Sequence, residues 1–565
     1  MSNDRLTTYQ KTITKEFEFL KETLKIEDAF AKSLDLPAGG GMLTPMCRLY
    51  EDDEDLIRQL VEWHRDGTVV LPAHPAESAV EARSWLKDVL GTADRLVFLV
   101  LDKHGKRVGH AGFSRCLNSE LTMELDDVAA DAASGGLLSE ALEVLIHWAR
   151  TTLWPDAVAA RASDLNSEAL TLLGRLGFGT VQAQAENRLF LQPVAGKAGK
   201  TMILTAGPSI SAREASYAYK AAKYGWNNQW SHYLKAFESN FAGYIGVKHA
   251  MATSSCTGAL HIALKALGIG SGDEVIVPDI TWVATANAVL YVGATPIFAD
   301  IDRNTWLLDP ASVKAKITPR TKAIIPVHLY GHACDMERLL ALAKQHNLYV
   351  IEDAAPSIGA EYKGRRTGSF GHFSGFSFQG AKLAVTGEGG MLLTNDESLY
   401  KRAYAIWDQG RTPGTFWIET NGLKYKMSNV QAAIGLGQLE RNDEMVEAKR
   451  RIFRWYEQGL AGVPHVRLNC EPAGTRSIYW MTSILVEESS PLSRDQLAQK
   501  LKARNVDTRP VFPAISQYPI WPLKQSPPPV AKFVGDHGMN LPSGVCLRQD
   551  EVFYVCEEIK QALTA

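Results

Sequence analysis

Between about residues 244 and 353 the sequence repeats one pattern, in which a short apolar strand is followed by a loop and then a longer helix. The segments are HAMATS with TGALHIALKAL, DEVIVP with WVATANAVLYV, KAIIPVH with MERLLALAKQ, and finally LYVIED. Continuously apolar strands that alternate with helices predict a mostly parallel sheet covered on both faces. Ligands of such sheets collect where strands end and helices begin. We therefore expect the functional residues at these junctions.

Length and composition exclude several classes of protein. A chain of 565 residues is too long for one ordinary core, which predicts two or more domains. A hydrophobic content of 45% and a formal net charge of -3 lack the basic excess of a nucleic-acid binder. The seven cysteines are scattered without a CxxC pair, so neither a disulfide framework nor a metal site is expected. A polar N-terminus and strand-length apolar runs predict a cytoplasmic protein without a membrane segment.

A change of composition at residues 192–201, QPVAGKAGKT, marks the predicted boundary between two α/β domains. The predicted parts are a helical segment over 1–43, a first domain over 44–192, a linker over 193–202, and a second domain over 203–565 with a smaller C-terminal subdomain from about 440. In the first part, Ile13, Phe17, Leu20 and Leu24 form one apolar stripe of a helix that is expected to end near Leu36.

Two of the strand ends carry groups suited to a phosphate and to a planar ring. Ser255, Cys256, Thr257 and Gly258 lie between a strand and a helix, where small residues, free N–H groups and the helix dipole favour an anion. The alternative is a simple helix N-cap by Thr257. At the next junction, Trp282 can stack on a planar ligand, although a lone tryptophan is more often part of a core or an interface.

Two further strand ends carry a carboxylate and an amine. In YVIEDAAPSIGA an apolar strand runs into Asp353, whose buried charge requires a partner such as a cationic ligand nitrogen, unless Asp353 caps a helix. In HFSGFSFQGAK, Ser377 is a further phosphate donor, and Lys382 follows in apolar surroundings. Burial lowers the pKa of a lysine, which leaves its amine nucleophilic towards an aldehyde. Together the four junctions hold what pyridoxal phosphate requires.

The segment 203–563 also resembles a known family, the DegT-type sugar aminotransferases of the aspartate-aminotransferase fold (fold type I). The motifs that carry the resemblance are SSCTGALHIALKALGIGSGDEVIVPDITWVATANAVLYVGATPIFADID, PVHLYGHACDM, EDAAPSIGA, FSFQGAKLAVTGEGGMLLTND, LKYKMSNVQAAIGLGQLER and GMNLPSGVCL. They are long, ordered and collinear with the family pattern. The resemblance implies an α/β fold with a mostly parallel central sheet and a smaller C-terminal α/β subdomain.

The resemblance also implies a role for each residue of the four junctions. Lys382 is the lysine that carries the cofactor, Asp353 is the partner of the pyridine nitrogen, and Trp282 stacks on the ring. Ser377 and Thr257, with the backbone of Cys256 and Gly258, are the phosphate contacts. A lysine at position 382 favours transamination, because a subgroup with histidine there performs dehydration.

Three positions depart from the family pattern. Pro356 stands where the family has Gln, Glu or His, and Cys256 stands where it has Gly. The pattern GxNxRM, whose Asn reaches the phosphate of the neighbouring subunit, begins here at Gly422 and has Lys424 in place of that Asn. Lys424 can still meet a phosphate as a point charge, so we expect a homodimer with shared sites.

The resemblance is strongest to enzymes that aminate 4-keto-6-deoxy nucleotide sugars, with glutamate as the usual donor. Candidate substrate contacts are Arg509, for a donor carboxylate or a sugar phosphate, and His328, Trp226 and Asn228 on the sugar side. The expected function is therefore amine transfer from an amino acid to a keto-sugar in polysaccharide or glycoside biosynthesis. A non-catalytic sensor or assembly protein of the same fold remains an alternative.

Residues 44–192 resemble the GNAT N-acyltransferases in their order of elements, including the helix motif with Asn166 and Gly177. The acyl-CoA loop of that family corresponds to a stretch from Ala133 to Leu138, in which Gly136 is kept, the basic residue is lost and Leu138 adds bulk. Either this domain is a scaffold, or it binds acetyl-CoA at Gly136 and Asn166. An active domain would acylate the amine made next door, with Glu124 or Asp126 as candidate base.

Overall fold

The computed structural model describes residues 3–38, 40–65, 68–69, 71, 77–131, 135–163, 166–184, 187–193 and 201–564. The chain divides into two compact units, residues 1–196 with 209–220, and residues 197–208 with 221–565. The linker expected at 193–202 lies for the most part outside the described residues, as does Ala133 of the expected acyl-CoA loop.

The first unit is built from a sheet and the helices that cover it. Its strands are β1 (Leu34–Leu36), β2 (Gly41–Pro45), β3 (Thr68–Val69), β4 (Leu96–Leu101), β5 (Arg107–Ser114), β6 (Thr122–Ala130), β7 (Ala157–Ser163), β8 (Gly179–Gln184) and β9 (Asn187–Pro193). Its helices are α1 (Asn3–Lys21), α2 (Ile26–Ala31), α3 (Glu54–Arg65), α4 (Ala79–Gly91), α5 (Gly135–Thr152) and α6 (Ser167–Arg175); α7 (Ala212–Tyr224) crosses the boundary between the units.

The sheet of this unit has the order β1-β2-β4-β5-β6-β7-β9-β8, with β3 beside β6. Strands β6 and β7 run parallel, and the other paired neighbours among the described residues run antiparallel. Strands β4 and β5 form a hairpin, which turns at Gly105 with a φ of 78°, where a residue without Cβ is favoured. The Asp102 carboxylate accepts the N–H groups of His104 and Lys106 and so fixes this turn.

The predicted N-terminal helix forms, but it is shorter than expected. Helix α1 ends at Lys21, and Ile13, Phe17 and Leu20 are buried in the core that α1 shares with the sheet. Leu24 lies beyond the end of the helix and is 71% exposed, so it does not extend the apolar stripe.

The second unit contains the remaining elements. Its helices are α8 (His232–Ile245), α9 (Cys256–Ala266), α10 (Ala284–Tyr291), α11 (Pro310–Lys316), α12 (Met336–His346), α13 (Glu397–Trp407), α14 (Asn429–Glu440), α15 (Asn442–Gly459), α16 (Arg494–Ala503), α17 (Pro529–His537) and α18 (Gln549–Thr564). Its strands are β10 (His249–Thr253), β11 (Glu274–Pro278), β12 (Thr295–Ala299), β13 (Thr321–Ile324), β14 (Tyr349–Asp353), β15 (Glu361–Tyr362), β16 (Arg365–Arg366), β17 (Phe373–Ser377), β18 (Gly390–Thr394), β19 (Val466–Leu468), β20 (Thr475–Arg476), β21 (Ser483–Val486), β22 (Arg509–Pro510) and β23 (Gly538–Asn540).

The central sheet has the order β10-β18-β17-β14-β13-β11-β12, and it confirms the predicted fold class. Strands β17, β14, β13, β11 and β12 pair in parallel. Strand β18 runs antiparallel to both β10 and β17, so β10 has the same direction as the parallel set. The carboxyl ends of β10, β11, β14 and β17 therefore meet at one edge of the sheet, where the sequence places its four junctions.

A buried carboxylate organises the loop next to this edge. Glu352, in β14, accepts hydrogen bonds from the backbone N–H groups of Gly368 (2.7 Å), Phe370 (2.7 Å) and Gly371 (2.7 Å). It also faces His328 Nε2 at 2.9 Å. Because a buried charge requires several partners, Glu352 acts as the anchor of the segment that leads into β17.

A smaller sheet and three helices form the C-terminal part of this unit. The sheet has the order β19-β21-β23-β22, and a hydrophobic core with residues from α15, α16 and α18 packs against it. Among the described residues, no helix is long and apolar enough to cross a membrane.

Candidate active site

One cavity of about 540 Å³ opens at the edge of the central sheet where the strands β10, β11, β14 and β17 end. It is lined by Ser255, Cys256, Thr257, Leu260, Thr281, Trp282, Ala284, Thr285, Val327, Leu329, Asp353, Ala355, Pro356, Ser377, Gln379, Ala381, Lys382, Glu388, Trp480 and Phe512. The structure thus brings Lys382, Asp353, Trp282, Ser377, Thr257 and Cys256 together, although they are up to 126 positions apart in sequence.

Lys382 lies in the loop after β17 and faces the cavity. Its backbone N–H donates to the carbonyl of Gln379 at 2.8 Å, which gives this Gly-rich loop a tight turn. Among the described residues no carboxylate lies within 4.0 Å of its Nζ, and burial lowers the pKa of Lys382 to about 8. More of the amine is therefore unprotonated near neutral pH than in an exposed lysine, as a nucleophile requires.

Asp353 is the last residue of β14, and the residue is 5% exposed. Oδ2 accepts a hydrogen bond from the Thr285 hydroxyl at 2.7 Å, and Oδ1 accepts one from the Ala355 N–H at 3.1 Å. Burial raises the pKa of Asp353, while these donors and the nearby charge of Lys382 lower it. No helix starts here, so Asp353 is not a helix cap, and a cationic nitrogen in the cavity would stabilise its charge.

The N-terminus of α9 opens onto the same cavity. The N-cap is Ser255, whose Oγ accepts the N–H of Gly258 at 3.0 Å. The simple cap that Thr257 could have formed is thus provided two residues earlier, and Thr257 lines the cavity instead. Gly258 does not line it, and its N–H is already bonded to Ser255, so the geometry does not support a phosphate contact through Gly258.

Cys256 is buried at the first position of α9, with Sγ 3.9 Å from Asp353 Oδ1. Burial raises the pKa of this thiol well above its ordinary value, so it remains protonated. A Cβ at Gly375 on β17 would approach Sγ to 3.1 Å, so the glycine leaves the room that the thiol occupies.

Trp282 lies between β11 and α10, and it is 61% exposed beside the cavity. Its ring lies 5.8 Å from the ring of Phe512. An exposed aromatic face next to Asp353 and Lys382 is suited to a planar ligand, and Ser377 at the end of β17 adds a hydroxyl to the same cavity.

His328 does not line the cavity, so the structure gives no support to the expected contact with the sugar. The ring is fully buried, Nδ1 accepts the backbone N–H of Cys334 at 3.1 Å, and Nε2 bonds to Glu352. Because Nδ1 accepts a hydrogen bond, the proton is on Nε2 and is donated to Glu352. His328 therefore belongs to the buried polar network around Glu352.

The other substrate candidates are also outside this cavity. Arg509 is exposed and lies 3.5 Å from Asp507, while Trp226, 61% exposed, donates its Nε1 hydrogen to the Ala222 carbonyl at 2.7 Å. Asn228 and Lys424 are exposed. Within one chain these residues do not line the cavity.

The acyl-CoA candidates lie in the first unit. Gly136 is exposed near the start of α5, with nothing within 4 Å of where a Cβ would be. Asn166 caps α6 by accepting the N–H of Ala169 at 2.9 Å. Leu138 is buried in the core, so its bulk does not crowd the start of α5 as the sequence suggested.

The two candidate bases of this unit differ in their surroundings. Glu124 forms ion pairs with Arg115 (3.2 Å) and Arg161 (2.8 Å). Asp126 accepts the Ser114 hydroxyl at 2.9 Å, and burial raises its pKa, which is the direction that a general base near neutral pH requires.

Several residues of the cavity were not predicted from the sequence. Thr285 lies three positions after Trp282, a spacing that places both on one side of a helical turn, so this signal was available. Trp480 and Phe512 come from the C-terminal part, without a local motif that points to the cavity. Among the described residues, no cluster of His, Cys, Asp or Glu could hold a metal ion.

The donor set fits pyridoxal phosphate. The hydroxyls of Thr257, in the first turn of α9, and of Ser377, at the end of β17, line the cavity and suit the phosphate. The buried Asp353 carboxylate suits a protonated ring nitrogen, and Lys382 supplies an amine without a carboxylate partner. A cavity of this composition at the carboxyl edge of a mostly parallel sheet defines the class, a pyridoxal-phosphate-dependent enzyme of fold type I.

Comparison with known proteins gives the family. The model of the DegT/DnrJ/EryC1/StrS aminotransferase family matches residues 208–560, and an acetyltransferase (GNAT) domain model matches residues 47–179. This chain belongs to the DegT/DnrJ/EryC1/StrS aminotransferase family, and it is a sugar aminotransferase with a GNAT-type N-terminal domain.

Three relatives show how far the similarity extends. GDP-perosamine synthase of Caulobacter vibrioides is 43% identical over 369 residues, which cover 64% of this chain and 98% of that protein. The crystal structure of the aminotransferase TlmJ from Streptoalloteichus hindustanus has a TM-score of 0.61 and 30% identity, covering 64% of this chain and 99% of TlmJ. DesI, analysed in the presence of its TDP-sugar product, has a TM-score of 0.60 and 31% identity, covering 65% of this chain and 95% of DesI.

The hydrogen bond from Thr285 to Asp353 is expected to support cofactor binding. Replacing Thr285→Val keeps the shape and removes the hydroxyl, so the pKa of Asp353 rises and its charge is less available. A hydrogen bond to a charged group contributes about 1.5–3 kcal/mol, so we expect roughly ten- to hundredfold weaker binding of pyridoxal phosphate. Titration of cofactor-free protein, followed by quenching of tryptophan fluorescence, measures this.

Thr281→Val is the matched control, because the Thr281 hydroxyl bonds to Thr285 at 3.1 Å and is not bonded to Asp353. We expect a smaller loss for this variant. Equal cofactor affinities of the Thr285→Val variant and the wild-type protein would contradict the role given to this hydrogen bond.

Proposed function

We propose that this chain transfers an amino group from an amino acid, with glutamate as the expected donor, to a nucleotide-linked 4-keto-6-deoxy sugar. The observation that carries the proposal is the meeting of Lys382 and Asp353 in one cavity, each with a pKa shifted by burial. The nucleotide-linked acceptor is supported by the similarity to GDP-perosamine synthase and to DesI, which was analysed with its TDP-sugar product. Such an activity belongs to the biosynthesis of polysaccharides or glycosides.

Pyridoxal phosphate, when bound, supplies the aldehyde and the electron sink of the reaction. Asp353 would hold the ring nitrogen in its protonated form, and Trp282 would stack on the ring. Thr257, Ser377 and the Cys256 backbone would hold the phosphate. The Lys382 amine, with its lowered pKa, would carry the cofactor and move protons at the reacting carbon.

The anionic parts of the substrates need cationic partners beyond Lys382, and the described residues that line the cavity include none. No arginine lines the cavity among the described residues, and the Lys424 ammonium is exposed outside it. We therefore propose a homodimer in which Lys424 of each chain meets the cofactor phosphate held by its partner. Arg509 is proposed to meet the donor carboxylate or a sugar phosphate at the mouth of the same shared site.

The amine transfer is tested with ¹⁵N-labelled glutamate and a panel of GDP-, TDP- and UDP-linked 4-keto-6-deoxy sugars. We expect the label in one amino-sugar product, identified by mass spectrometry. The Lys382→Ala variant should lose at least about a hundredfold in rate, because it lacks the proton-transfer group. Lys401→Ala is the control, since Lys401 is an exposed residue of α13 that pairs with Glu397.

Absence of labelled product with every sugar, from wild-type protein that binds pyridoxal phosphate, would overturn the proposed acceptor class. Absence of amine transfer to any keto-acid as well would favour the non-catalytic sensor or assembly role.

A second candidate function concerns the first unit. The match to the GNAT domain model and the open space at Gly136 support acyl-CoA binding there. We propose that α5 binds the pyrophosphate of acetyl-CoA at its N-terminus. Asp126, with its raised pKa, is the candidate base for N-acetylation of the amino-sugar.

Calorimetry of the full chain with acetyl-CoA tests this candidate, and we expect binding at or below millimolar concentration. Gly136→Asp should weaken it by charge repulsion of the pyrophosphate. Gly174→Asp is the matched control, because a Cβ at Gly174, in α6, also meets no atom within 4 Å. If no heat of binding is measured at millimolar acetyl-CoA, the acetyltransferase role is overturned and the first unit is a scaffold.

A further inference from the structure

Trp480 covers the amine of Lys382, although it comes from a distant part of the sequence. It lies in the segment between β20 and β21 and is 6% exposed. Nζ of Lys382 is 3.8 Å from the centre of the indole ring. At this distance an aromatic face attracts an ammonium group and leaves a neutral amine almost unaffected.

The indole is fixed in this position from several sides. Its Nε1 donates to the Ala381 carbonyl, next to Lys382, at 2.8 Å. Its ring stacks on Tyr330 with centroids 6.0 Å apart and an angle of 26° between the planes. The Ile478 N–H, two residues before Trp480, donates to the Gly331 carbonyl at 3.1 Å. The ring is therefore held by the loop after β17 and by the loop after β13.

A buried lysine holds the backbone of the same residue. Lys449, in α15, is 5% exposed, and its Nζ donates to the carbonyl of Trp480 at 2.8 Å and to the carbonyl of Ser543. No carboxylate among the described residues lies within 4.0 Å of Lys449 Nζ, and burial lowers the pKa of Lys449 to about 7. Because a buried amine is costly unless it is hydrogen-bonded, the carbonyls of Trp480 and Ser543 are the partners that keep Lys449 in place, and Lys449 in turn fixes them.

We propose that Trp480 is a further catalytic residue, whose indole face holds the protonated Lys382 amine, and that Lys449 is the positioning residue that keeps Trp480 over it. The inference rests on the proposed role of Lys382 as the reacting amine. The indole offsets part of the penalty that burial imposes on the ammonium. Lys382 can therefore hold a proton at Nζ after it has taken one from the substrate and before it returns one.

The test compares the pKa of Lys382 in cofactor-free, full-length variants. The rate at which a limiting amine reagent labels Lys382, measured against pH by peptide mass spectrometry, gives this pKa. In Trp480→Leu the site stays apolar but loses the aromatic face, so the pKa should fall by about 0.5 to 1. Trp480→Phe keeps a weaker aromatic face and should give an intermediate value.

Two further variants test Lys449. Lys449→Met keeps an apolar stem without the donors, so Trp480 is less well fixed and the pKa of Lys382 should fall in the same direction. Lys449→Arg restores a cation with several N–H donors and should recover part of the effect. Trp230→Leu is the matched control, because Trp230 is 58% exposed and does not line the cavity.

An unchanged or raised pKa of Lys382 in Trp480→Leu would overturn the proposal, since water entry rather than the indole would then govern the amine. A fall in Trp480→Leu without any change in Lys449→Met would overturn the role of Lys449 alone. Because the protein is free of cofactor, these outcomes do not depend on the keto-sugar. A failure of the proposed amine transfer is detected separately, in the experiment with labelled glutamate.

Discussion

The site depends on two opposite charges that share one cavity without forming an ion pair. Asp353 is buried at the end of β14, where Thr285 and Ala355 satisfy its oxygens, and Lys382 faces it from the loop after β17. If the two groups were in contact, the amine would be held as an ammonium and the carboxylate would be neutralised. Their separation leaves the carboxylate available to a ring nitrogen and the amine available to an aldehyde.

This separation is possible because the two neighbouring acidic residues of β14, Glu352 and Asp353, have different hydrogen-bond partners. Glu352 accepts hydrogen bonds from three backbone N–H groups and from His328, and so fixes the loop that leads into β17. Asp353, the next residue, points to the cavity on the other side of the strand, as alternation along a strand requires. A structural carboxylate thus holds in place the strand that carries Ser377 and, beyond it, Lys382.

The sequence predicts the sheet and the four junctions because strand ends are local features with strong patterns. The apolar runs before Thr253, Pro278, Asp353 and Ser377 end where the structure has them end, and the parallel order brings them to one edge. It predicts less well which polar group faces a ligand. His328 comes just after a strand and Asp353 ends one, yet the His328 ring bonds to Glu352 and to the Cys334 N–H and does not face the cavity. Trp480 and Phe512 depend on how the C-terminal part folds back, and no spacing in the sequence encodes that contact.

The most direct test of the central claim is to find which lysine the cofactor modifies. The full-length protein, loaded with pyridoxal phosphate and reduced with borohydride, is digested, and the pyridoxyl group is located by peptide mass spectrometry. We predict that the group is on Lys382 and that excess glutamate, added before the reduction, removes it from that peptide. A stable adduct on another lysine, with Lys382 unmodified, would contradict the account.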